Sequence, residues 1–147
     1  MNYVETVLMP GEKIIEKAQI HWFIFVSDGL LLLLALVLMK NMWLLSAGIA
    51  VVVIFTTIKD IIYYLTTELA LTNKRVIAKF GWIQRNTIEL SLARVESLTV
   101  NQSFFGRIFN FGTLTINGIG GIQTPIPVIA DPLKFRSNTL NMLDTKS

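Results

Sequence analysis

The amino-acid sequence predicts an α+β membrane protein, in which a two-helix transmembrane hairpin precedes an antiparallel β module that ends in one helix. Three observations lead to this fold class. Two apolar blocks lie close together in residues 22–58, short β-rich runs separated by turn residues fill residues 66–130, and a helix start signal follows at Asp131. Of the 147 residues 52% are hydrophobic and 16% charged, so the apolar excess must be concentrated in one part of the chain.

Each apolar block is long enough to cross a bilayer. Residues 22–39 contain one charged side chain, Asp28, and residues 42–58 contain none. One helix over both blocks would be about 55 Å long, well beyond the roughly 30 Å of a hydrocarbon core. We therefore expect a break at Lys40 and Asn41 and an antiparallel hairpin. The alternative, the buried core of a soluble protein, requires the rest of the chain to cover both helices.

The charged residues around the hairpin predict its orientation. Acidic residues precede the first block, which is unlike the basic start of a secretory signal peptide. Lysines and arginines lie before the first block and after the second, whereas the loop between them has only Lys40. Both termini are therefore predicted to lie in the cytoplasm, with residues 1–21 as an N-terminal cytoplasmic segment and residues 22–65 as the hairpin.

Two polar residues of the hairpin are candidates for an intramembrane role, Asp28 and Lys59. A carboxylate at the centre of a membrane helix costs about 2.5–3.5 kcal/mol, so it requires either a function or a partner. A turn at Lys40 places Thr56 and Thr57 near Asp28, and Lys59 one turn further. We expect the threonines to donate hydrogen bonds to Asp28 and Lys59 to bend toward it. This local pairing is favoured over a functional role.

The same turn places other residues of the hairpin opposite one another. Ala35 meets Ser46, and two small residues allow close helix packing. Aromatic residues typical of a membrane interface bracket the spans: Trp22, Trp43, Tyr63 and Tyr64. His21 is the only histidine and is predicted to be an interface residue rather than a ligand or a base.

After Leu65 the pattern changes to short strands with period two. The predicted strands cover residues 66–72, 76–80, 87–92, 94–101 and 113–117. Gly118 to Gly121 predict a hairpin turn, and the prolines at 125 and 127 demote the last run to an edge strand. Asp131 and Pro132 then predict an N-cap and the first position of a helix that continues to about Leu143.

Several short motifs occur in an order that resembles one family. Arg94 to Leu98 (RVESL), Gly106 to Ile108 (GRI) and Gly112 to Ile116 (GTLTI) are similar to the pattern of bacterial pleckstrin-homology-like (PH-like) domains of small membrane-anchored proteins. The earlier PGEKII and the His-Trp pair at residues 21 and 22 are similar to that layout too.

The resemblance implies a PH-like antiparallel β-barrel over residues 66–147, with a C-terminal helix closing one end. It implies a place at the bacterial cytoplasmic (inner) membrane, in a multi-pass protein. In eukaryotic relatives, basic residues after the first strand bind inositol phosphates. With residues 66–72 as that strand, this chain has Lys74, Arg75 and Lys79, but Gly81 replaces the final arginine.

Two surfaces are candidates for binding. Residues 66–147 contain nine basic and five acidic residues, and four of the basic ones are candidates for contact with anionic lipid: Lys74, Arg75, Lys79 and Arg85. An ordinary solvated face is an equal alternative. The candidate interaction surface surrounds Gly106 and consists of Phe104, Phe105, Arg107 and Phe109. Burial of these phenylalanines in the core is the favoured alternative, because aromatic rings bury large apolar areas.

The residue inventory argues against an enzyme. There is no cysteine, the single histidine lies at the predicted membrane edge, and no acidic or histidine cluster has the spacing of metal ligands. No cofactor, metal or catalytic residue is predicted. The sequence has no nucleic-acid-binding motif, and its formal net charge is only +3, so nucleic acid is not an expected partner.

Two functions of different class remain. The first is a membrane-anchored scaffold or adaptor that binds another membrane protein or forms homo-oligomers, as related bacterial domains tend to do; the edge strand near residues 124–129 is a possible contact. The second is a peripheral reader of anionic lipid head groups. The scaffold is the favoured function.

Overall fold

Seven strands and five helices lie in the part of the chain that the computed structural model describes, residues 3–80 and 86–144. The strands are β1 (Ile14–Ala18), β2 (Glu68–Thr72), β3 (Arg75–Phe80), β4 (Asn86–Ser91), β5 (Val95–Asn101), β6 (Phe111–Gly118) and β7 (Ile122–Ala130). The helices are α1 (Tyr3–Thr6), α2 (Val26–Leu38), α3 (Trp43–Thr66), α4 (Phe104–Phe109) and α5 (Pro132–Asp144).

The strands form two antiparallel sheets, one in the order β1-β2-β3-β4 and the other in the order β5-β6-β7. The chain after β1 joins the two sheets, because Ile20 forms a bridge with Ile129 and the His21 N–H donates to the Val128 carbonyl at 2.7 Å. The predicted strands from residue 66 to residue 117 are all present, and the Gly118–Gly121 segment is the predicted hairpin turn between β6 and β7.

The sequence analysis did not predict β1, which belongs to the N-terminal segment. Its Ile14 is opposite Thr72 of β2, and its Ala18 is opposite Leu69. Helices α2 and α3 therefore lie in the connection between two neighbouring strands. The apolar pair is an insertion within the first sheet, so its two ends are fixed by the hydrogen bonds of β1 and β2.

The main core lies between the two sheets and is closed by α5. Leu71 and Val76 from the first sheet and Leu114 and Ile126 from the second are almost fully buried, and Phe135 of α5 packs against them at 1% exposure. Helix α5 covers the predicted residues. Its buried face consists of Pro132, Phe135 and Thr139, whereas Leu133 is exposed. A smaller cluster covers the outer side of β2 and β3, where Val4 of α1 contacts Ala70 and Ile77.

Helices α2 and α3 pack side by side in opposite directions. The Ser46 hydroxyl donates to the Ala35 carbonyl at 2.7 Å, so the predicted small-residue contact is confirmed. Every seventh residue is buried at this contact, Asp28 and Ala35 on α2 and Ser46, Val53 and Asp60 on α3. Most other side chains of the pair are exposed and apolar.

The bounds of the two helices differ from the predicted spans. Residues 22–25 form a 3₁₀ turn before α2, and α3 continues eight residues past the predicted end at 58, because its apolar sequence extends through Ile61 and Ile62. By length and apolarity, α3 is the one helix of the described residues that is able to cross a membrane, and the stretch Trp22–Leu38 is shorter.

Candidate functional site

The β module has two ends that differ in their distance from the helices. The base is the end where β1 leads into α2 and α3 leads into β2, marked by the pair Ala18 and Leu69. The tip is the opposite end, with the β2–β3 turn at Asn73 and Lys74. At the tip the Leu92 N–H donates to the Lys74 carbonyl at 3.1 Å, which continues the pairing of β3 with β4 beyond Arg75 and Ser91. The candidate residues divide between these two ends.

Arg75, a predicted lipid contact, is instead buried at the tip. Its Nε donates to Glu12 Oε1 at 3.0 Å, its Nη2 donates to Glu12 Oε2 at 3.1 Å and to the Val7 carbonyl at 2.8 Å, and its Nη1 donates to Glu89. The expectation that Arg75 faces lipid is therefore wrong. Glu12 is distant in sequence, and only the pairing of β1 with β2 brings the two side chains together.

The Glu12 carboxylate is held ionised by the same contacts. Burial alone would raise its pKa, but hydrogen bonds from the Met9 N–H, the Thr72 hydroxyl and Arg75, with the Arg75 charge, hold the pKa below its usual value. Glu12 and Arg75 therefore fasten the N-terminal segment to the first sheet.

The other basic candidates are also separated from one another. Lys74 is exposed at the tip, where its Nζ donates to the Pro10 carbonyl at 3.2 Å. Lys79 is half-buried near the base: its Nζ lies 4.0 Å from Glu68 Oε1 and 4.9 Å from the centre of the Tyr3 ring. Arg85 lies outside the described residues. The described members of this group do not form one basic face.

The structure also changes the comparison with inositide-binding domains. The first strand of the module is β1 rather than residues 66–72, and the segment that follows β1 is the apolar helical pair. Lys74 and Arg75 lie in and after the next turn, at the opposite end of the sheet. They are therefore not equivalent in position to a basic loop after the first strand.

Helix α4 presents the phenylalanines of the second candidate surface. Both helix ends are capped: Ser103 Oγ accepts from the Gly106 N–H at 3.2 Å, and Asn110 adopts the left-handed conformation at φ 59°. The Gln102 side chain donates to the carbonyls of Gly106 and Phe111 at 3.3 and 3.1 Å. A Cβ at Gly106 would lie 2.5 Å from the Phe111 carbonyl oxygen, so only glycine fits against the start of β6.

This capped helix exposes its aromatic residues. Phe104, Phe105, Ile108 and Phe109 are 75%, 58%, 60% and 42% exposed, and Arg107 is exposed beside them. We call these five residues the α4 patch. The favoured expectation, burial of these phenylalanines in the core, is wrong, because the helix stands outside the sheet and only Phe111, in β6, turns inward.

The α4 patch adjoins the base of the helical pair through stacked rings. The Phe109 ring lies 5.4 Å from Phe23 and 6.1 Å from Trp22, centre to centre. Phe23 in turn stacks on Phe111 at 4.3 Å, and His21 stacks on Phe111 at 5.4 Å. Helix α4 therefore lies beside the 3₁₀ turn at which the apolar helices begin.

His21 is a structural residue of this ring cluster. Its Nδ1 accepts a hydrogen bond from the Phe23 N–H at 3.2 Å. Burial lowers the pKa of His21, and the charge of Asp131 opposes this shift only in part. The neutral ring is therefore the favoured form, and it caps the turn that leads into α2.

Asp28 accepts the predicted hydrogen bonds from two threonine hydroxyls. Thr56 Oγ1 donates to Asp28 Oδ1 at 2.7 Å, and Thr57 Oγ1 donates to Oδ2 at 3.0 Å. The expected contact with Lys59 is wrong: Lys59 points outward and lies 3.3 Å from Asp60 Oδ1. Two hydroxyls rather than an ammonium group thus satisfy this buried carboxylate.

Two antiparallel sheets closed by a C-terminal helix form a small α+β domain that is compatible with the PH-like class, and a helical pair is inserted after its first strand. A family model described as "Bacterial PH domain" matches residues 24–143. This match covers most of the chain, including α2 and α3, and the chain belongs to the bacterial PH domain family. Comparisons with curated proteins and with solved structures give no significant match.

Proposed function

We propose that this chain is a non-enzymatic, membrane-anchored adaptor that holds a PH-like module at the cytoplasmic face of a bacterial inner membrane for association with proteins, including other copies of itself. The observation that supports this most is the insertion of the apolar helical pair between two neighbouring strands. A module attached through two hydrogen-bonded strands is held in a defined orientation, as an adaptor requires.

The surface of the helical pair supports the anchor. Most of the leucines of α2 are exposed, as are Val51, Val52, Ile54 and Phe55 of α3. Exposed apolar surface of this extent is typical of membrane contact. The stretch from Trp22 to Leu38 is roughly 28 Å long, and the first 20 residues of α3 extend about 30 Å, so both approach the thickness of a hydrocarbon core.

Association with proteins would use the part of the module that is distant from the membrane. Ile119, at the turn between β6 and β7, is 63% exposed. Among the described residues, the stretch Ile122–Pro127 of β7 pairs with β6 alone, which leaves its other edge open. An open strand edge is a common place for contact between proteins, and Pro125 and Pro127 limit how long such pairing can be.

Reading of lipid head groups by the basic residues has less support. Arg75 is neutralised by Glu12 and Glu89, and Lys79 by Glu68. With the helices in the membrane, Lys74 at the tip would face away from it. A pair of buried or half-buried cations that already have carboxylate partners offers little attraction to an anionic surface.

The anchor can be tested by labelling single cysteines, because the natural chain has none. In intact cells, a membrane-impermeant maleimide should label Lys40→Cys in the loop between the helices and should label Lys74→Cys only after lysis. Equal labelling of both before lysis would contradict the proposed topology.

Association can be tested by cross-linking in the membrane. Gln123→Cys, on the exposed side of β7, should form cross-linked species with a short bis-maleimide, whereas Ser137→Cys on the exposed face of α5 serves as the matched control. Native mass spectrometry of the wild-type chain in its own lipids should show multiples of 16.5 kDa or an added protein mass. A monomer in both experiments would contradict the adaptor function.

A further inference from the structure

We infer that the α4 patch is a second membrane contact, in which Phe104, Phe105 and Ile108 enter the interfacial layer of the bilayer beside the start of α2. The partner is the lipid surface itself. This inference rests on the proposed membrane crossing of the helical pair. It differs from head-group reading, since aromatic and aliphatic side chains rather than lysines make the contact.

The position of α4 supports this inference first. Phe109 contacts Trp22 and Phe23, which immediately precede α2. If the stretch Trp22–Leu38 crosses the hydrocarbon core, Trp22 lies at its cytoplasmic boundary. A helix in ring contact with Trp22 must then lie at the same boundary, continuous with the apolar surface of the helical pair.

The composition of the α4 patch agrees with that position. In amphipathic segments that lie in the membrane interface, phenylalanine and aliphatic residues supply the apolar side that enters the boundary between head groups and acyl chains. Arg107 adds one exposed cation within the same helix, and a long basic side chain can keep its charge in the head-group layer while its stem lies in apolar surroundings. Helix α4 thus combines apolar rings with a basic residue, the same two components that amphipathic interfacial segments contain.

The local structure keeps these side chains outward. The Ser103 cap, the left-handed Asn110 and the contact of Gly106 with the Phe111 carbonyl fix α4 against the sheet. Within residues 3–80 and 86–144, the rings of Phe104 and Phe105 contact one another and no other ring, with centres 5.8 Å apart. The fold thus orders a helix whose apolar residues Phe104, Phe105 and Ile108 are left exposed, and an exposed apolar patch of this kind marks a contact site.

The test places an environment-sensitive nitrobenzoxadiazole (NBD) label on single cysteines of the full-length chain in vesicles of phosphatidylethanolamine and phosphatidylglycerol. Phe104→Cys and Phe105→Cys report on the patch, and both side chains are exposed, so the core is not changed. Ala93→Cys, exposed at the tip, is the water-facing control, and Val51→Cys, exposed on α3, reports on the anchor.

We expect NBD emission at 104 and 105 to shift to the blue and to be lost on addition of lipids spin-labelled near the head group, with no change at 93. The label at 51 should be quenched by lipids spin-labelled near the chain end. Quenching at 51 with a water-like signal at both 104 and 105 would overturn the inference and leave the anchor intact. A water-like signal at 51 would overturn the anchor and, with it, the inference.

A third result separates lipid from protein. If labels at 104 and 105 are shielded from iodide but not quenched by spin-labelled lipid, the patch is covered by a protein, and the membrane contact is wrong. Shielding from iodide together with lipid quenching supports the inference. Each labelled variant is compared with the wild-type chain by circular dichroism, so that a change of fold is recognised.

Discussion

The two candidate surfaces, at opposite ends of the module, differ in whether their side chains are buried or exposed. At the tip, Arg75 is an expected surface residue that lies inside, neutralised by Glu12 and Glu89. At the base, Phe104 and Phe105 are expected core residues that lie outside. In both places the residue type alone gave the opposite expectation. Whether a charged or an aromatic side chain is buried therefore depends on which residues the fold brings next to it, and not on its residue type.

The largest effect is expected for removal of one side of the Arg75 ion pair. Arg75→Ala leaves Glu12 buried without its cation, and loss of one partner of a buried pair costs about 3–5 kcal/mol. Thermal unfolding of the detergent-solubilised chain, followed by tryptophan fluorescence, would measure the loss. The control is Lys74→Ala. Lys74 is the exposed neighbour of Arg75, and its substitution should change the free energy of unfolding by less than about 0.5 kcal/mol. Equal effects of the two variants would show that Arg75 is not a buried structural residue.

A smaller effect is expected at the other end of the comparison, from Gly106→Ala. The added Cβ would lie 2.5 Å from the Phe111 carbonyl oxygen, so α4 must move, at a cost of about 1–3 kcal/mol. Gly29→Ala in α2 is the control, because nothing lies within 4 Å of its added Cβ and alanine favours a helix. In the same unfolding measurement, Gly106→Ala should lower the free energy of unfolding and Gly29→Ala should raise it. Stabilisation by Gly106→Ala would mean that α4 is not held against β6.

The ion pair between Glu12 and Arg75 should also make the stability of the wild-type chain depend on pH in acid. Because the folded chain lowers the pKa of Glu12, its contribution is complete above the ordinary value of 4.5 and is lost as the pH falls through the lower, folded value. The free energy of unfolding of the wild-type chain should therefore fall between pH 7 and pH 3, and this fall should be smaller in Glu12→Gln. The same acid loss in wild type and in Glu12→Gln would contradict this assignment.

The smallest effect is expected for Phe105→Ser in detergent. The side chain is 58% exposed, and surface substitutions usually change stability by less than about 0.5 kcal/mol. Phe111→Ser is the matched comparison: its ring is 9% exposed and stacks on Phe23, and loss of a buried phenylalanine costs about 3–5 kcal/mol. If both substitutions destabilise the chain equally, the phenylalanines of α4 belong to the core after all.

Local patterns predicted most of the elements of this fold. Alternation of apolar and polar residues identifies the strands from residue 66 onward, and the charge at Lys40 marks the break between the helices. Even the contact between Ala35 and Ser46 follows from the position of that break. These features depend on residues that are near one another in the chain, or on one simple geometry.

The features that were not predicted depend on contacts over long distances. Strand β1 is short, and its partner Thr72 is separated from Ile14 by the whole helical pair. The alternate positions of Ile14, Ala18 and Ile20 are the one signal for it. The burial of Arg75 follows from the pairing of β1, and the exposure of Phe104 follows from the position of α4 outside the sheet. Neither has a signal in the residues beside it.

The place of the helical pair between β1 and β2 also orders the events of biosynthesis. Strand β1 leaves the ribosome first and has no sheet to join until both helices and β2 have been made. If the two helices cross the membrane as proposed, β2 reaches the same side as β1 only when the second helix has returned across the bilayer. A chain inserted with one helix misplaced would lack the Glu12–Arg75 pair and leave Ile14 and Ala18 without their neighbours. With the proposed topology, completion of the first sheet depends on the correct insertion of both helices, so the folded module itself would report that insertion had succeeded.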